Sequence, residues 1–375
     1  MGFTFLHTAD WQLGKRFGSF PDDKPAVLRD QRLQAVDRLA EAGIAGGCAA
    51  VLVAGDVFDA ETAPEALTRR LLEKLKAYPQ LDWHLLPGNH DPARVGGVWS
   101  AFAGGGVPGN VHLHLEPKAA EIAPGVILLP APLASKRTET DPTAWWDGVA
   151  EGSVRIGLAH GSVQGFGSNG DANVPIDPAR VKSARLSYLA LGDWHGTTRI
   201  SDRAWYSGTP EPDGFRDNDP GNALIVRIDG SSPPAVERVR TAHFTWLRRA
   251  QKVDGAASLD AIDAEVAALG SAAGRCLMTL ELSGAVPLAE LARIEERLAR
   301  LGPRLFHLAS DLGALTAFAD AADLSSLSSP ALGEIAQRLK EKSDAGGGDA
   351  AIAARALRRL FAFSRQAEAG VGVKA

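Results

Sequence analysis

AAVLVAGDVFD, residues 49–59, reads as a buried strand that ends abruptly in polar chemistry. Ala49–Ala54 is a short apolar run with the length and make-up of a strand covered on both faces. Gly55 permits a sharp turn, and Asp56 and Asp59 follow at once. One such motif is weak, because an Asp after a strand is usually a turn or cap residue. Here the pattern recurs along the chain.

On the N-terminal side, Phe3–Leu6 reads as a strand that leads to Asp10 in TADWQLG. On the C-terminal side, Trp83–Leu86 leads to Gly88-Asn89-His90-Asp91, VRIGLAH ends in His160-Gly161, and SYLALG runs into Gly192-Asp193-Trp194-His195-Gly196. Between the first three strands the period is helical. Leu33, Val36, Ala40 and Ile44 share one face over Ala26–Ala45. Thr62-Ala63-Pro64-Glu65 has capping-box spacing ahead of Leu67, Leu71 and Leu75, so a second helix is expected there. This β-α-β-α-β rhythm predicts an α/β core. Further strands are expected at Val111–Leu115, Val126–Leu129, Val154–Ala159, Tyr188–Leu191 and Ala223–Ile228.

After Thr241 the character changes to a compact α+β unit, with a helix at Leu259–Leu269, a strand at Cys276–Leu282, a helix over Leu288–Leu301 and a strand at Phe306–Ala309. Two more helices are expected, Ala331–Lys342 and Ala350–Ala367. The second sets Arg355, Arg358, Arg359 and Arg365 beside Ile352, Leu357, Leu360, Phe361 and Phe363. The organisation expected is therefore 1–240, 241–320 and 325–375. The 375 residues carry a formal charge of -5, so any nucleic acid must be met by a local basic surface, bound metal ions or a partner. Cys48 and Cys276 lie far apart in apolar runs and read as core thiols, not as a disulfide framework or zinc knuckle. The N-terminus lacks the pattern of a secretory signal, and no apolar run is long enough to span a bilayer. A soluble cytoplasmic protein without membrane contact is expected.

Open α/β sheets bind ligands at the carboxyl ends of their strands, so these motifs can converge on one edge. Carboxylates, an amide and imidazoles suit two divalent cations, and two ions ~3.5–4 Å apart can clamp the attacking and leaving oxygens of a phosphoester displacement. With HTADWQLGK (7–15), GDVFD (55–59), GNHD (88–91), AHG (159–161), GDWHG (192–196) and YSGTPEP (206–212), residues 1–240 resemble the calcineurin-like metallophosphoesterase superfamily. Within it the chain resembles the SbcD-type DNA repair exonuclease family. Beyond residue 240 the likeness is one of layout only.

The resemblance implies an α/β sandwich of two mixed sheets flanked by helices, with a smaller α+β capping domain that holds DNA and with C-terminal helices. It implies one ion on Asp10, Gln12, Asp56 and His195, and another on Asp56, Asn89, His160 and Asp193. His90 would sit over the scissile phosphate and protonate the leaving oxygen, oriented by Asp59 or Asp91, while a metal-held hydroxide attacks phosphorus. The expected activity is DNA phosphodiester hydrolysis in repair. The expected partners are DNA, a second copy of the chain and an SbcC-like coiled-coil ATPase docked on the C-terminal helices. Two positions depart from the family pattern: Gln12 stands where Asp-x-His has histidine, and Asp193 where Gly-His-x-His has the first histidine. As oxygen donors both would favour Mn²⁺ or Mg²⁺ over Zn²⁺.

Two other functions are weighed against this one. The first is a small-molecule phosphodiesterase acting on cyclic nucleotides or lipid-linked nucleotides. The second is a DNA-end binding subunit with a vestigial metal site. His7 reads as a structural hydrogen-bonding residue, and His112 and His114 as edge residues more than a third metal site. Trp11 and Trp194 read as packing or as cleft walls for a base, and Lys15 and Arg16 as a solvated pair or a phosphate contact.

Overall fold

The computed structural model describes residues 2–149, 154–166, 173–230, 232–320, 323, 327 and 329–368. Of the segment 325–375, residues 325, 326, 328 and 369–375 and the side chain of Arg365 lie outside this description. The chain divides into two compact units, Met1–His243 and Phe244–Ala375.

The first unit runs β1 (Gly2–Thr8), α1 (Lys24–Ala45), β2 (Ala50–Val53), α2 (Glu65–Lys76), β3 (Asp82–Leu85), α3 (Val98–Gly104) and β4 (Val111–Leu113). It continues through β5 (Ala120–Ala123), β6 (Val126–Ala131), β7 (Val154–His160), β8 (Ser162–Val163), β9 (Pro175–Ile176), α4 (Arg180–Ser183), β10 (Tyr188–Gly192), β11 (Thr198–Ser201), β12 (Ala204–Tyr206), β13 (Asn222–Asp229) and β14 (Ala235–Arg240). One sheet has the order β14-β13-β1-β2-β3-β4, the other β11-β12-β10-β7-β6-β5, and β8 pairs with β9 apart from both. In the first, β1 to β4 are parallel and β13 and β14 antiparallel. In the second, β6, β7, β10 and β12 are parallel and the edge strands β5 and β11 antiparallel. Two mixed sheets flanked by helices is the fold class the motifs implied.

The alternation of the strands explains the layers. Phe3, Phe5, Leu52 and Leu224 point from the first sheet toward Leu128, Ile156, Leu158 and Tyr188 of the second, closing the inter-sheet core. Leu6, Val51, Val53 and Leu85 point the other way, onto Leu33, Val36 and Leu39 of α1 and Leu71 and Leu75 of α2. Each fully buried Leu or Val contributes about 1.5–3 kcal/mol, which holds both layers against chain entropy. The capping-box reading of Thr62 is corrected: α2 begins after Pro64 (φ −57°, ψ 137°), and no side chain caps it. The fixed φ of proline already sets the helix entry.

The second unit begins with β15 (Thr245–Val253), α5 (Asp260–Ala268), β16 (Cys276–Pro287), α6 (Leu288–Leu301) and β17 (His307–Phe318). The three strands are parallel in the order β15-β16-β17, and α5 and α6 are their crossovers. The terminal helices α7 (Pro330–Asp344) and α8 (Ala350–Glu368) pack on the same unit: Ala336, Leu357 and Phe361 bury beside Leu288 and Ala319. Cys48 and Cys276 are buried and unpaired. Among the described residues no helix is long and apolar enough to cross a membrane.

Histidines between the sheets are a constraint that periodicity does not reveal. His7 bridges the layers, Nδ1 lying 3.0 Å from the Tyr188 hydroxyl and Nε2 3.2 Å from the Leu191 carbonyl, which is a structural role. Beside the edge strand β4, His84 of β3 stacks on exposed His112 and on buried His114 (ring centroids 4.8 and 5.3 Å apart), with Nδ1 of His84 3.0 Å from Nε2 of His114. Burial pushes His7 down to about 3, His84 to about 2 and His114 to about 4, and neighbouring imidazoles add to the last two. The unfolded chain takes up these protons as pH falls through the ordinary histidine value of ~6.5, and the folded chain does not, so stability is full above that value and drains below it. We expect the urea midpoint to drop between about pH 7 and about pH 5, and to drop less in His84→Leu. An equal drop in that variant would sink the assignment to His84.

Candidate metal centre

The carboxyl ends of β1, β2 and β3 in one sheet and of β7 and β10 in the other supply the polar cluster. Asp10, Asp56 and His160 offer ligand atoms all within 4.8 Å of one another, and all three residues are buried. Asp10, Gln12, Asp56 and Asp193 each have positive φ (55°, 42°, 53° and 99°), a conformation that non-glycine residues rarely adopt. Backbone strain of this kind costs about 1–3 kcal/mol per residue and persists where surrounding structure over-determines it. The loops are also pressed together: a Cβ on Gly88 would overlap the Asp56 carboxylate, and one on Gly192 the Ala54 carbonyl.

His160 is prepared as a ligand. Nδ1 lies 2.9 Å from the Ala54 carbonyl and donates to it, which leaves Nε2 as the nitrogen turned toward the carboxylates. That Nε2 is buried and has no hydrogen bond among the described residues, 3.5 Å from Asp56 Oδ1 and 3.8 Å from Asp193 Oδ1. Asn89 donates Nδ2 to Asp193 Oδ1 at 3.3 Å, and its Oδ1 is likewise buried without a partner among the described residues. Asp193 Oδ2 accepts from the Ser162 hydroxyl at 2.9 Å, and Asp10 accepts from the Asp193 amide at 3.2 and 3.3 Å. Buried polar atoms rarely go unpaired. An orphaned imidazole nitrogen beside two carboxylates, together with an orphaned amide oxygen, forms a donor set that fits a divalent cation.

The electrostatics agree with that fit. Burial raises the Asp10 carboxyl, and Asp56 and Asp193 add to the rise against the pull of His195 and His160. Burial alone would lower His160, but Asp56, Asp10 and Asp193 outweigh it and raise the imidazole to about 9. Carboxylates that keep a fully buried imidazole protonated mark a place short of positive charge.

His195 reaches the cluster from the other side. Its Nδ1 lies 3.0 Å from Asp213 Oδ1, and its Nε2 is 3.2 Å from Gln12 Nε2. Burial alone would lower His195, yet the bond to Asp213 lifts it; Asp213, despite its burial, is held well below the usual carboxylate range by that bond and charge. Two side chains make contacts other than those expected of them. The Gln12 amide does not offer its oxygen to the cluster: Oε1 accepts from Lys15 Nζ at 3.1 Å, and Nε2 faces Asp56 Oδ2 at 3.4 Å. Nor does the Asp91 carboxylate orient His90. Fully buried, it accepts from the Gly88 amide at 2.6 Å and the Phe58 amide at 2.9 Å, locking the 88–91 turn onto the 55–59 turn. Burial first, and Asp56 second, push Asp91 well above the usual range.

His90 is exposed. Its Nδ1 lies 3.1 Å from the backbone carbonyl of Asp59, so Asp59 orients it through the main chain, while the Asp59 carboxylate lies 3.9 Å from Lys15. The His90 amide donates to Asp56 Oδ1 at 2.9 Å, which sets the imidazole at the rim of the cluster.

Arg32 and Asp213, which lie outside the sequence motifs, also belong to the site. Arg32 on α1 is 2% exposed and donates Nε to the Trp11 carbonyl, Nη2 to the Asp10 carbonyl and Thr209 Oγ1, and Nη1 to the Glu211 carbonyl, at 2.8–3.1 Å. Its signal was a charged residue on the apolar stripe, four residues from both Leu28 and Val36. Asp213 follows YSGTPEP and had no signal beyond its place near the last motif. The tryptophans separate cleanly: Trp11 is 1% exposed and packs edge-on against Trp83, whereas Trp194 is 37% exposed, edge-on to Phe166.

The model of the calcineurin-like phosphoesterase family matches residues 3–227. Among solved structures, the chain is similar to TT1561 of Thermus thermophilus, at 11% identity and a TM-score of 0.42, over 64% of this chain and 100% of that one. No curated protein matches it.

Removing the Arg32 guanidinium strands the Trp11 carbonyl, leaves the carbonyls of Asp10 and Glu211 with only the Thr209 hydroxyl to share, and takes away the charge that offsets the buried carboxylates. Arg32→Met should therefore cost about 3–5 kcal/mol in urea unfolding, far more than a surface Arg substitution. A loss below about 1 kcal/mol would show that the guanidinium does not brace these loops.

Proposed function

The chain belongs to the calcineurin-like phosphoesterase family, and we propose that its metal-dependent phosphoester hydrolysis acts on DNA, as an SbcD-type repair nuclease. The observation that carries the reading is the cluster of Asp10, Asp56 and His160, with Asn89, Asp193 and His195 around it and an exposed imidazole at its rim. Asp10, Asp56, Asn89, His160, Asp193 and His195 would hold divalent cations, and oxygen-rich ligation favours Mn²⁺ or Mg²⁺. Bound there, such ions supply electrophilic stabilisation of the phosphoryl oxygens and acidify water.

The chain's own residues do the rest. Asp56 and Asp193, anchored by the His90 amide and Ser162, hold negative charge fixed on the cluster side. With its Nδ1–H committed to the Asp59 carbonyl, His90 exchanges protons through Nε2, and as imidazolium it donates one to the leaving oxygen. Trp11 and Phe58, fully buried beneath the turns, exclude water from below.

DNA is favoured over a small phosphodiester by the second unit, which lies outside the family match and ends in a helix bearing Arg355, Arg358 and Arg359. In this reading residues 241–320 cap and hold DNA, and the chain pairs with a second copy. The exposed Ile335, Ile352 and Phe363 of α7 and α8 offer the apolar surface that an SbcC-like ATPase would cover.

The test is cleavage of end-labelled DNA with Mn²⁺, with Mg²⁺ and without metal. We expect cutting with metal only, abolished in Asp56→Ala. His90→Ala should lower the rate by about 10²–10⁴ while bound metal stays unchanged. Loss of metal in His90→Ala would overturn its role. Intact DNA alongside turnover of cyclic nucleotides would overturn the nuclease reading and favour a small-molecule phosphodiesterase.

A further inference from the structure

The two sides of the cluster are not alike. On one, His160 Nε2 and Asn89 Oδ1 are buried and, among the described residues, unpaired, with Asp56 and Asp193 beside them. On the other, the Gln12 NH₂ group faces both Asp56 Oδ2 (3.4 Å) and His195 Nε2 (3.2 Å), the atoms a cation there would need. Because His195 Nδ1 is committed to Asp213, the lone pair on Nε2 is the one Gln12 takes up.

An amide can turn over, so what holds it matters. Lys15 Nζ lies 3.1 Å from Gln12 Oε1 and 2.9 Å from Asp213 Oδ2, and Asp213 is nearly buried. Turning the amide would set NH₂ against an ammonium, donor against donor. The pin is itself tied to the His195 side, since Asp213 binds both Lys15 and His195.

Resting on the metal-dependent reading above, we propose that Lys15 makes the two cation positions unequal: an open one at Asp56, Asn89, His160 and Asp193, and one at Asp10, Asp56 and His195 that the Lys15-pinned amide of Gln12 plugs. Lys15 is thus a positioning residue acting through Gln12. The chain works with one tightly held ion, and the second enters only when Gln12 yields.

The experiment is Mn²⁺ binding to the full chain by equilibrium dialysis and calorimetry, with electron paramagnetic resonance to detect spin-coupled ion pairs. Wild type should hold one ion at least about tenfold more tightly than a second, and show no coupled pair at one equivalent. Lys15→Met should tighten the second step about tenfold and leave the first unchanged; Gln12→His, which supplies an imidazole nitrogen, should do the same. His160→Ala should remove the tight ion and His195→Ala should spare it. Two equal steps in wild type, or unequal steps that both Lys15→Met and Gln12→His leave unchanged, overturn the proposal and leave the metal-dependent reading standing. No Mn²⁺ binding at all overturns both.

Discussion

A single buried guanidinium underlies the architecture of the site. Arg32 projects from α1 and donates to the carbonyls of Asp10 and Trp11 on one segment and to Thr209 and the Glu211 carbonyl on another. Burial opposes its charge, and Asp213, Glu211, Asp59 and Asp10 compensate it. Buried charge is tolerable only when paired and fully hydrogen-bonded. The left-handed turns at Asp10 and Gln12 therefore have an internal reason to persist: the carbonyls of Asp10 and Trp11 are already bonded from below.

Above that support the polypeptide concentrates negative charge. Asp10, Asp56 and Asp193 crowd one end of the sandwich, and Asp91 lies buried in the turn beside them. The folded chain offsets this with main-chain amides, a protonation-prone His160 and the Gln12 amide. None of these replaces a cation fully, as the unpaired His160 Nε2 and Asn89 Oδ1 show. Strain, burial and unpaired polar atoms converge on one place, where a chain optimised for stability alone would not put them.

Residues of one type were given different work by their surroundings. Trp11 became core and Trp194 stayed at the surface, though each sits between two polar motif residues. Asp59 and Asp91 both follow buried strands, yet one contributes its carbonyl to His90 and the other its carboxylate to amides of two loops. Spacing along the chain was the same in kind; which atom faced which partner was not encoded in it.

The α/β layering follows from local sequence, because the alternation of apolar strands with helical periods is local and each burial decision is made within a few residues. Local sequence also determines where the polar motifs fall, at the ends of β1, β2, β3, β7 and β10, since a strand must end where its apolar run ends. Which side chains face each other is set by the packing of the folded chain. Asp213 meets His195, Lys15 reaches both Gln12 and Asp213, and Arg32 ties α1 to residues far along the chain. The same packing turns the Gln12 amide nitrogen, not its oxygen, toward the cluster. These are contacts between segments distant in sequence, and they follow from packing two sheets and a helix together, which no local pattern of residues specifies.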